Sequence, residues 1–514
     1  MIEEKEMLNQ EGILKKEIEN IYKFRRQFVL GPEYLSHLHG WERTKIDDNN
    51  YITSHPDLEK ASAQREGASL FLLGFILDPF NPQKKNTDIL NDLIKCKDSM
   101  GLFRETEKYG GRWILIYKTD KEFIMFNDMA GLRQIFYMKD NKDKIWCCSE
   151  PEILKEHLNL HQDPEAVEFM KSDAYQKVTE HWWPGNRGVY KDVYHLTPNH
   201  YLDFNTYEEI RYWPYEKLKK KDLKKVVRES SEILRGLILS ASERYKLSLP
   251  LTAGWDSRAL LSATKGINKN IYYYTLLYRN LDQNHEDVYI PKRLISKCDL
   301  EHQVIQCPSK MDDSFKEIYM SNTSCAHMEW GTIAQGMYYD YPQDRMCIKG
   351  NVSEIARDTY RIENKEIPNE RVNAKMLARL MEMSNNEYAL RRFDEWLASA
   401  RKSCNENNIK IIDLFYWEQR MGNWQAMSQL EWDIVQETFT PYNCRLLMET
   451  MLGTNIKFRV IPSNIMYKEI IKSLWEELLE IPINPDSTKS SAKEKFKSFI
   501  KKWFPFIYIY HLRK

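Results

Sequence analysis

The stretch from residue 247 to residue 305 constrains this chain most. Leu247-Ser-Leu-Pro-Leu251 is a short apolar run, followed by the small and polar residues Thr252-Ala-Gly-Trp-Asp256. A helix is expected from Ser257 to Gly266, then a second strand, Ile271-Tyr-Tyr-Tyr-Thr-Leu-Leu-Tyr278. A helix over about Glu286 to Lys297 and a third strand near Gln303-Val-Ile305 complete a βαβαβ series. Strands that alternate with helices in this way predict a parallel sheet with helices on its faces. In open sheets of this kind ligands sit at the carboxyl ends of strands, and helix N-termini favour anions. The loop 252–257 is therefore the first place to look for chemistry.

The flanking regions read differently. Ser69-Leu-Phe-Leu-Leu-Gly-Phe-Ile-Leu77 is an apolar run that stops at Asp78-Pro79, a strand followed by a turn. Strands are also expected at Arg112–Tyr117, Glu122–Phe126, Gln134–Met138 and Ile145–Ser149, with turns at Thr119-Asp120, Asp128–Gly131 and Lys139–Asp143. Such close spacing predicts antiparallel sheet. Residues 1–30 predict a charged helix with Ile13, Ile18, Ile21, Tyr22 and Phe28 at loosely helical spacing. Tyr215 to Lys246 predicts a long helix with Val226, Val227, Ile233, Leu234, Leu237 and Ile238 on one face. Residues 370–480 read as mostly helical. The expected fold is an α+β domain over 1–215, an antiparallel β sandwich with helices. An α/β domain with a helical C-terminal part comes next over 216–485, and a basic tail over 486–514.

Composition excludes several function classes. The 514 residues carry 75 basic and 75 acidic side chains, a net charge of zero. That balance argues against a nucleic-acid partner, whose binding draws much of its affinity from phosphate neutralisation. The ends are polarised: residues 1–20 carry six acids against three bases, and residues 486–514 carry eight bases against two acids. No run approaches the roughly 20 apolar residues of a spanning helix, and the start Met-Ile-Glu-Glu-Lys-Glu is the reverse of a cleaved leader. Nine cysteines without a CxxC pair argue for reduced thiols in a cytoplasm over a disulfide framework or zinc ribbon. His285-Glu286 opens an apparent HExxH, but position 289 is Tyr. His37 and His39 read as loop residues, and Cys147-Cys148 as strand residues packing on opposite faces. There is no GxSxG, no Gly-Lys-Ser/Thr and no GxGxxG. In the tail, Phe496, Phe499, Ile500, Trp503 and Phe504 fall on one helical face with Lys497, Lys501 and Lys502 between them, up to Pro505. Such a helix docks on the protein body, or residues 491–514 meet an anionic membrane surface or a partner.

Leu251-Thr-Ala-Gly-Trp-Asp-Ser257 resembles the pyrophosphate loop S-G-G-x-D-S of the asparagine synthetase family and its ATP-pyrophosphatase relatives. The resemblance implies that Leu251, Thr252, Ala253, Gly254, Asp256 and Ser257 cradle ATP, with hydroxyls of Thr252 and Ser257 donating to phosphate and Asp256 holding Mg2+. Ala253 replaces the first glycine and would be strained if that position needed a positive φ. Met346-Cys-Ile-Lys-Gly-Asn-Val-Ser-Glu-Ile355 resembles the family's G-E-G-x-D-E loop in reduced form: Gly350 and Glu354 are kept, Asn351 stands for an acid, and the penultimate acid is missing. Glu354 is then implied as the second carboxylate on the metal. Pro441-Tyr-Asn-Cys-Arg-Leu-Leu447 is similar to the R-x-P-F-x-D segment, and Tyr467-Lys-Glu-Ile-Ile471 to K-x-I-L-R. Lys468 is thereby implied to offset charge at the reacting phosphorus. Arg420, in Trp417-Glu-Gln-Arg420, is a further candidate for a cation facing the substrate.

Four blocks upstream resemble class II glutamine amidotransferase domains in their order: Gly110-Gly-Arg-Trp-Ile-Leu-Ile-Tyr117, Phe126-Asn-Asp-Met-Ala-Gly-Leu-Arg133, Ile135-Phe-Tyr137 and Cys147-Cys-Ser-Glu150. The resemblance implies an Ntn-hydrolase-like first domain and an adenine nucleotide alpha hydrolase-like second one. Glutaminases of this class use an N-terminal cysteine. This chain starts Met1-Ile2 and its first cysteine is Cys96, so a degenerate, glutaminase-deficient domain is expected. The layout is similar to β-lactam synthetase and lasso-peptide cyclase.

The expected function is an ATP-dependent, AMP-forming carbon–nitrogen ligase. It would adenylate a carboxylate, release pyrophosphate and pass the acyl group to an amine or ammonia, with ATP and Mg2+ as cofactors. A small-molecule, peptide or sugar carboxylate fits, and homo-oligomerisation is left open. Two alternatives stand beside it: a catalytically silent scaffold of the same fold, and AMP-forming chemistry on a non-carboxylate such as a nucleobase. Residues 309–345, including His327-Met-Glu-Trp330, are candidates for the substrate pocket without an assigned role.

Overall fold

The computed structural model describes residues 21–178, 180–279, 281–358, 360, 366–461 and 463–484. The tail helix predicted at 496–504 and Ile13 and Ile18 lie outside the described residues. Among the described residues no helix is long and apolar enough to cross a membrane.

The first half is a sandwich of two six-stranded antiparallel sheets. Its strands are β1 (Phe28–Gly31), β2 (Glu42–Asp47), β3 (Asn50–Ser54), β4 (Lys60–Arg65), β5 (Ala68–Leu77), β6 (Gly110–Thr119), β7 (Phe123–Asn127), β8 (Phe136–Lys139), β9 (Ile145–Cys148), β10 (Tyr194–His195), β11 (His200–Asp203) and β12 (Glu208–Arg211). One sheet runs β10-β8-β9-β1-β3-β2 and the other β12-β11-β7-β6-β5-β4. Phe28, expected on a helix, sits instead in β1, fully buried and paired with Ser54 of β3.

The apolar run 69–77 lacks alternation because both faces of its strand are covered. Phe71 and Leu73 point between the sheets with Ile114, Ile116, Phe28 and Leu30. Leu70 and Leu72 point outward with Leu115 and Trp113 into the larger core shared with the helices. Cys147 and Cys148 divide between the same two cores, as their alternation requires. A fully buried side chain of this size contributes about 1.5–3 kcal/mol. The two-sided burial therefore ties the sandwich to the second half of the chain.

A connection over 212–222 leads into the helix Leu223–Ser242, capped by Asp222, whose carboxylate accepts from Lys225 N at 3.0 Å. The second half holds a parallel sheet of β13 (Lys246–Pro250), β14 (Ile271–Leu277), β15 (His302–Gln306), β16 (Arg345–Ile348) and β17 (Glu437–Phe439), in the order β15-β14-β13-β16-β17. Helices Trp255–Ala263 and Glu286–Lys297 make the expected crossovers, and helices such as Glu387–Asn407 and Ile465–Trp475 dominate after residue 370. The expected two-part fold is the one observed.

Buried ion pairs join the halves. Arg112 grips Asp433 through two nitrogens, at 2.5 and 2.8 Å, and Arg133 reaches Glu437 at 3.1 Å. Asp128 and Asn443 meet at 2.9 Å, and Ala130 N donates to Asn443 Oδ1 at 2.9 Å. The blocks that carry the amidotransferase resemblance thus form much of the surface on which the second half sits.

Candidate functional site

Strands β14 and β16 pair with β13 from opposite sides, so the crossover direction reverses between β13 and β16. In open sheets the ligand crevice is expected outside the carboxyl ends of strands at such a switch point. The loop after β13 is anchored by Leu251 N, which donates to Tyr274 O at 2.8 Å. Thr275 Oγ1 donates to Leu251 O, also at 2.8 Å.

Within the loop the polar groups bond to one another. The Thr252 and Ser257 hydroxyls lie 3.1 Å apart, Thr252 N donates to Ser257 Oγ at 3.2 Å, and Gly254 N donates to Thr252 Oγ1 at 3.2 Å. Ala253 is buried, its N–H donating to Asp287 Oδ1 at 3.0 Å and its carbonyl accepting from Asn484 N at 3.1 Å. Ala253 is not among the residues with positive φ, and Gly254 is extended at φ −79°. The replacement of glycine by alanine therefore carries no backbone strain. Gly254 caps the helix Trp255–Ala263, whose N-terminus faces the crevice end of β13.

The loop after β16 packs against this one around Asp256. A Cβ added to Gly350 would lie 2.9 Å from the Cβ of Asp256, so only glycine allows the approach. Val352 then adopts φ +74°, a left-handed conformation that costs a β-branched residue on the order of 1–3 kcal/mol. The turn it forces brings the short helix Ser353–Ala356 back onto the first loop. Ser353 Oγ donates to Asp256 Oδ1 at 2.6 Å, and Arg357 Nη2 donates to Asp256 Oδ2 at 2.8 Å. The same Nη2 lies 3.6 Å from Glu354 Oε1. Burial pushes the Glu354 carboxyl up to about 7, partly opposed by Arg357 and reinforced by Asp256.

The resemblance implies Mg2+ on Asp256 and Glu354, and the donors present do not fit that role. Both Asp256 oxygens are engaged, by a hydroxyl and a guanidinium, and Glu354 faces the same guanidinium. Asp256 and Glu354 thus both face the Arg357 guanidinium.

Lys468, implied to offset charge at the reacting phosphorus, is exposed. It lies on the exposed face of the helix Ile465–Trp475, while its neighbour Tyr467 is buried and donates from its hydroxyl to Ser353 O at 2.8 Å. Successive helix residues point about 100° apart, so the segment presents Tyr467 to the loops and Lys468 to solvent. The Arg357 guanidinium stands 5.8 Å from the Tyr467 ring centre.

Arg420 belongs to a ten-residue π-helix, Tyr416–Gln425, a wide turn that recurs at functional sites. Its guanidinium stacks 3.8 Å above Trp424 and lies 3.9 Å from Glu180. Its charge is felt at Glu354 and at Glu382, whose carboxyl burial raises to about 7. Sequence reasoning missed Ser353, Arg357, Tyr467 and Glu382. No spacing signalled the first two, because Ser353 opens a 3-10 turn and Arg357 lies just past its end in extended backbone.

Arg445 serves docking: it donates to Asn199 Oδ1 at 2.6 Å and to the Tyr212 hydroxyl at 3.0 Å in the first half. His327 is held by Glu431 at 2.8 Å and stacks on Trp330, at a ring separation of 3.7 Å. All nine cysteines are free, and burial is the leading cause of a raised thiol pKa at each. None is set up as a thiolate nucleophile.

No family model matches this chain, and no curated protein matches it. Among solved structures it is similar to a glutamine phosphoribosylpyrophosphate amidotransferase from B. subtilis complexed with ADP and GMP. Identity is 9%, over 73% of this chain and 88% of that one, with a TM-score of 0.25. It is also similar to a structure described as the allosteric regulatory enzyme of purine biosynthesis, at 8% identity, 73% and 88% coverage and a TM-score of 0.24.

Proposed function

We propose that this chain is an ATP-dependent ligase that activates a carboxylate as its adenylate and passes the acyl group to an amine, without glutaminase activity. The observation that carries the reading is the joining of two loops at the switch point of the parallel sheet, through Gly350, Ser353 and Arg357 around Asp256. A helix N-terminus and a buried guanidinium at one crevice suit a polyphosphate. The resemblance of residues 251–257 to a pyrophosphate loop supports ATP as that polyphosphate.

In the reaction, a carboxylate oxygen attacks the α-phosphorus and the bond to the bridging oxygen breaks, releasing pyrophosphate. The amine nitrogen then attacks the acyl carbon, AMP leaves, and the nitrogen gives up its proton. Amides at the start of the helix Trp255–Ala263 and the Arg357 guanidinium offset charge on the departing pyrophosphate. Arg420, stacked on Trp424, orients the carboxylate substrate. No step is assigned to a metal held by the protein. The raised thiols fit an amine that comes from the substrate or from free ammonia, and nine unpaired cysteines fit a reducing cytoplasm.

One observation favours a second reading, a silent scaffold: the loop hydroxyls and Asp256 already satisfy one another or nearby groups. Purified protein incubated with ATP, magnesium and pooled carboxylic acids separates the two. The ligase releases equimolar AMP and pyrophosphate only when an acid is present, and needs no glutamine. A scaffold releases neither with any pool.

A further inference from the structure

We infer that Arg357 is the resident cation of this site, so that polyphosphate binds on its guanidinium and not through a divalent ion chelated by Asp256 and Glu354. The inference rests on the nucleotide reading above and concerns how the charge of that ligand is met. Arg357 lies between the two carboxylates, 2.8 Å from Asp256 Oδ2 and 3.6 Å from Glu354 Oε1, and its side chain is 7% exposed. Ser353 Oγ takes the other Asp256 oxygen at 2.6 Å. A magnesium ion demands near-octahedral oxygen ligands at roughly 2.0–2.1 Å, and it would compete with Ser353 and Arg357 for these oxygens.

The surroundings hold Arg357 in place. Val352 turns the chain so that the residues after it return to Asp256, and Tyr467 fixes the Ser353 carbonyl at 2.8 Å. Gly350 sets the separation of the two loops. An arginine is always charged and presents a planar fork of donors that matches phosphate oxygens. Held at the crevice between β13 and β16, it supplies positive charge there without loading from solution. The two carboxylates fix the fork between them.

The test uses the full-length protein and ATP, with binding measured in excess EDTA and again in magnesium. Wild-type affinity is expected to differ by less than about threefold between the two conditions, using the scale on which 1.4 kcal/mol is tenfold. Arg357→Met is expected to bind at least about tenfold more weakly in EDTA and to regain part of that loss with magnesium, since Asp256 then no longer pairs with a guanidinium. Arg357→Lys keeps the charge and falls between the two. Manganese titrated without nucleotide, with free ion followed by electron paramagnetic resonance, is expected to show no stoichiometric uptake by wild type and one ion taken up by Arg357→Met. Wild-type binding of ATP only with magnesium, or stoichiometric manganese uptake by wild type, overturns the inference and leaves the ligase reading standing. Absence of ATP binding in both conditions overturns both. If Arg357→Met fails to fold, the wild-type arms and Arg357→Lys still decide.

Discussion

Replacing Gly350 by alanine probes the point where the two loops meet. The added Cβ would sit 2.9 Å from the Cβ of Asp256 and 3.4 Å from its carbonyl carbon. Ordinary carbon contacts lie at about 3.5–4.0 Å, so the loops must part by roughly 0.6–1 Å. The obstacle is the root of a side chain fixed at both oxygens, and no flexible end can swing away. The Asp256 bonds to Ser353 and Arg357, now 2.6 and 2.8 Å, would stretch to the edge of hydrogen-bonding range. Overpacking of this kind costs about 1–3 kcal/mol, which lowers a melting temperature by a few degrees and leaves the fold intact. A misplacement near 1 Å at a reacting centre costs on the order of 10²-fold in rate. Gly350→Ala should therefore lose roughly 10- to 100-fold in acid-dependent pyrophosphate release while staying folded. Gly188→Ala is the control, because its Cβ would meet only the Phe136 ring at 3.9 Å. Calorimetry of ATP binding, pyrophosphate release and thermal melting make the comparison. Unchanged ATP affinity and rate in Gly350→Ala would refute the reasoning.

Other parts of the molecule give sharp expectations. Arg258 donates to the carbonyls of Leu478, Ile481 and Pro482 at 2.8, 2.7 and 3.2 Å, and Arg258→Met should speed amide exchange across 476–484 by at least about tenfold, consistent with losing charge-assisted bonds of about 1.5–3 kcal/mol each. Arg112→Met leaves buried Asp433 only the longer pair with Arg133 at 3.8 Å and should cost about 3–5 kcal/mol by denaturant unfolding, since the Arg112 and Asp433 side chains are 1% exposed. Burial raises the Glu150 carboxyl to about 7, above its ordinary value of 4.5, so the folded state holds this proton more tightly than the unfolded one. The stability it contributes is full below about pH 4.5 and is lost as pH rises towards 7, up to about 3 kcal/mol in all. Glu150→Gln should flatten that slope in unfolding measured from pH 5 to 8, and an unchanged slope would show that Glu150 does not titrate there.

The sequence made the inner strands legible and hid the outer ones, for a physical reason. Runs such as 69–77 and 112–117 are apolar because both of their faces are buried. Glu42–Asp47 and Lys60–Arg65 are charged outer strands with largely solvent-facing burial patterns, so no apolar periodicity announces them. At the site, the alternation of strands and helices pointed to the loop 252–257, and the resemblance of 346–355 to a family loop pointed to the second. The role of Arg357 could not, because it depends on a left-handed turn at Val352, a residue whose chemistry disfavours one. The same limit explains Lys468: a short resemblance locates a helical segment, yet which neighbour faces inward is settled by packing, here in favour of Tyr467. Asn443 and Arg445 stood out as a block, and their contacts with Asp128 and Asn199 give them the work of joining the halves.

Adenylation is tested most directly by isotope exchange. Labelled pyrophosphate is mixed with ATP, magnesium, pooled carboxylic acids and the intact protein, and label entering ATP is counted. The account predicts exchange that depends on both protein and acid, needs no amine, and falls at least about tenfold in Asp256→Ala. Exchange that proceeds equally in Asp256→Ala, or ATP that binds without exchange in every pool, would contradict it.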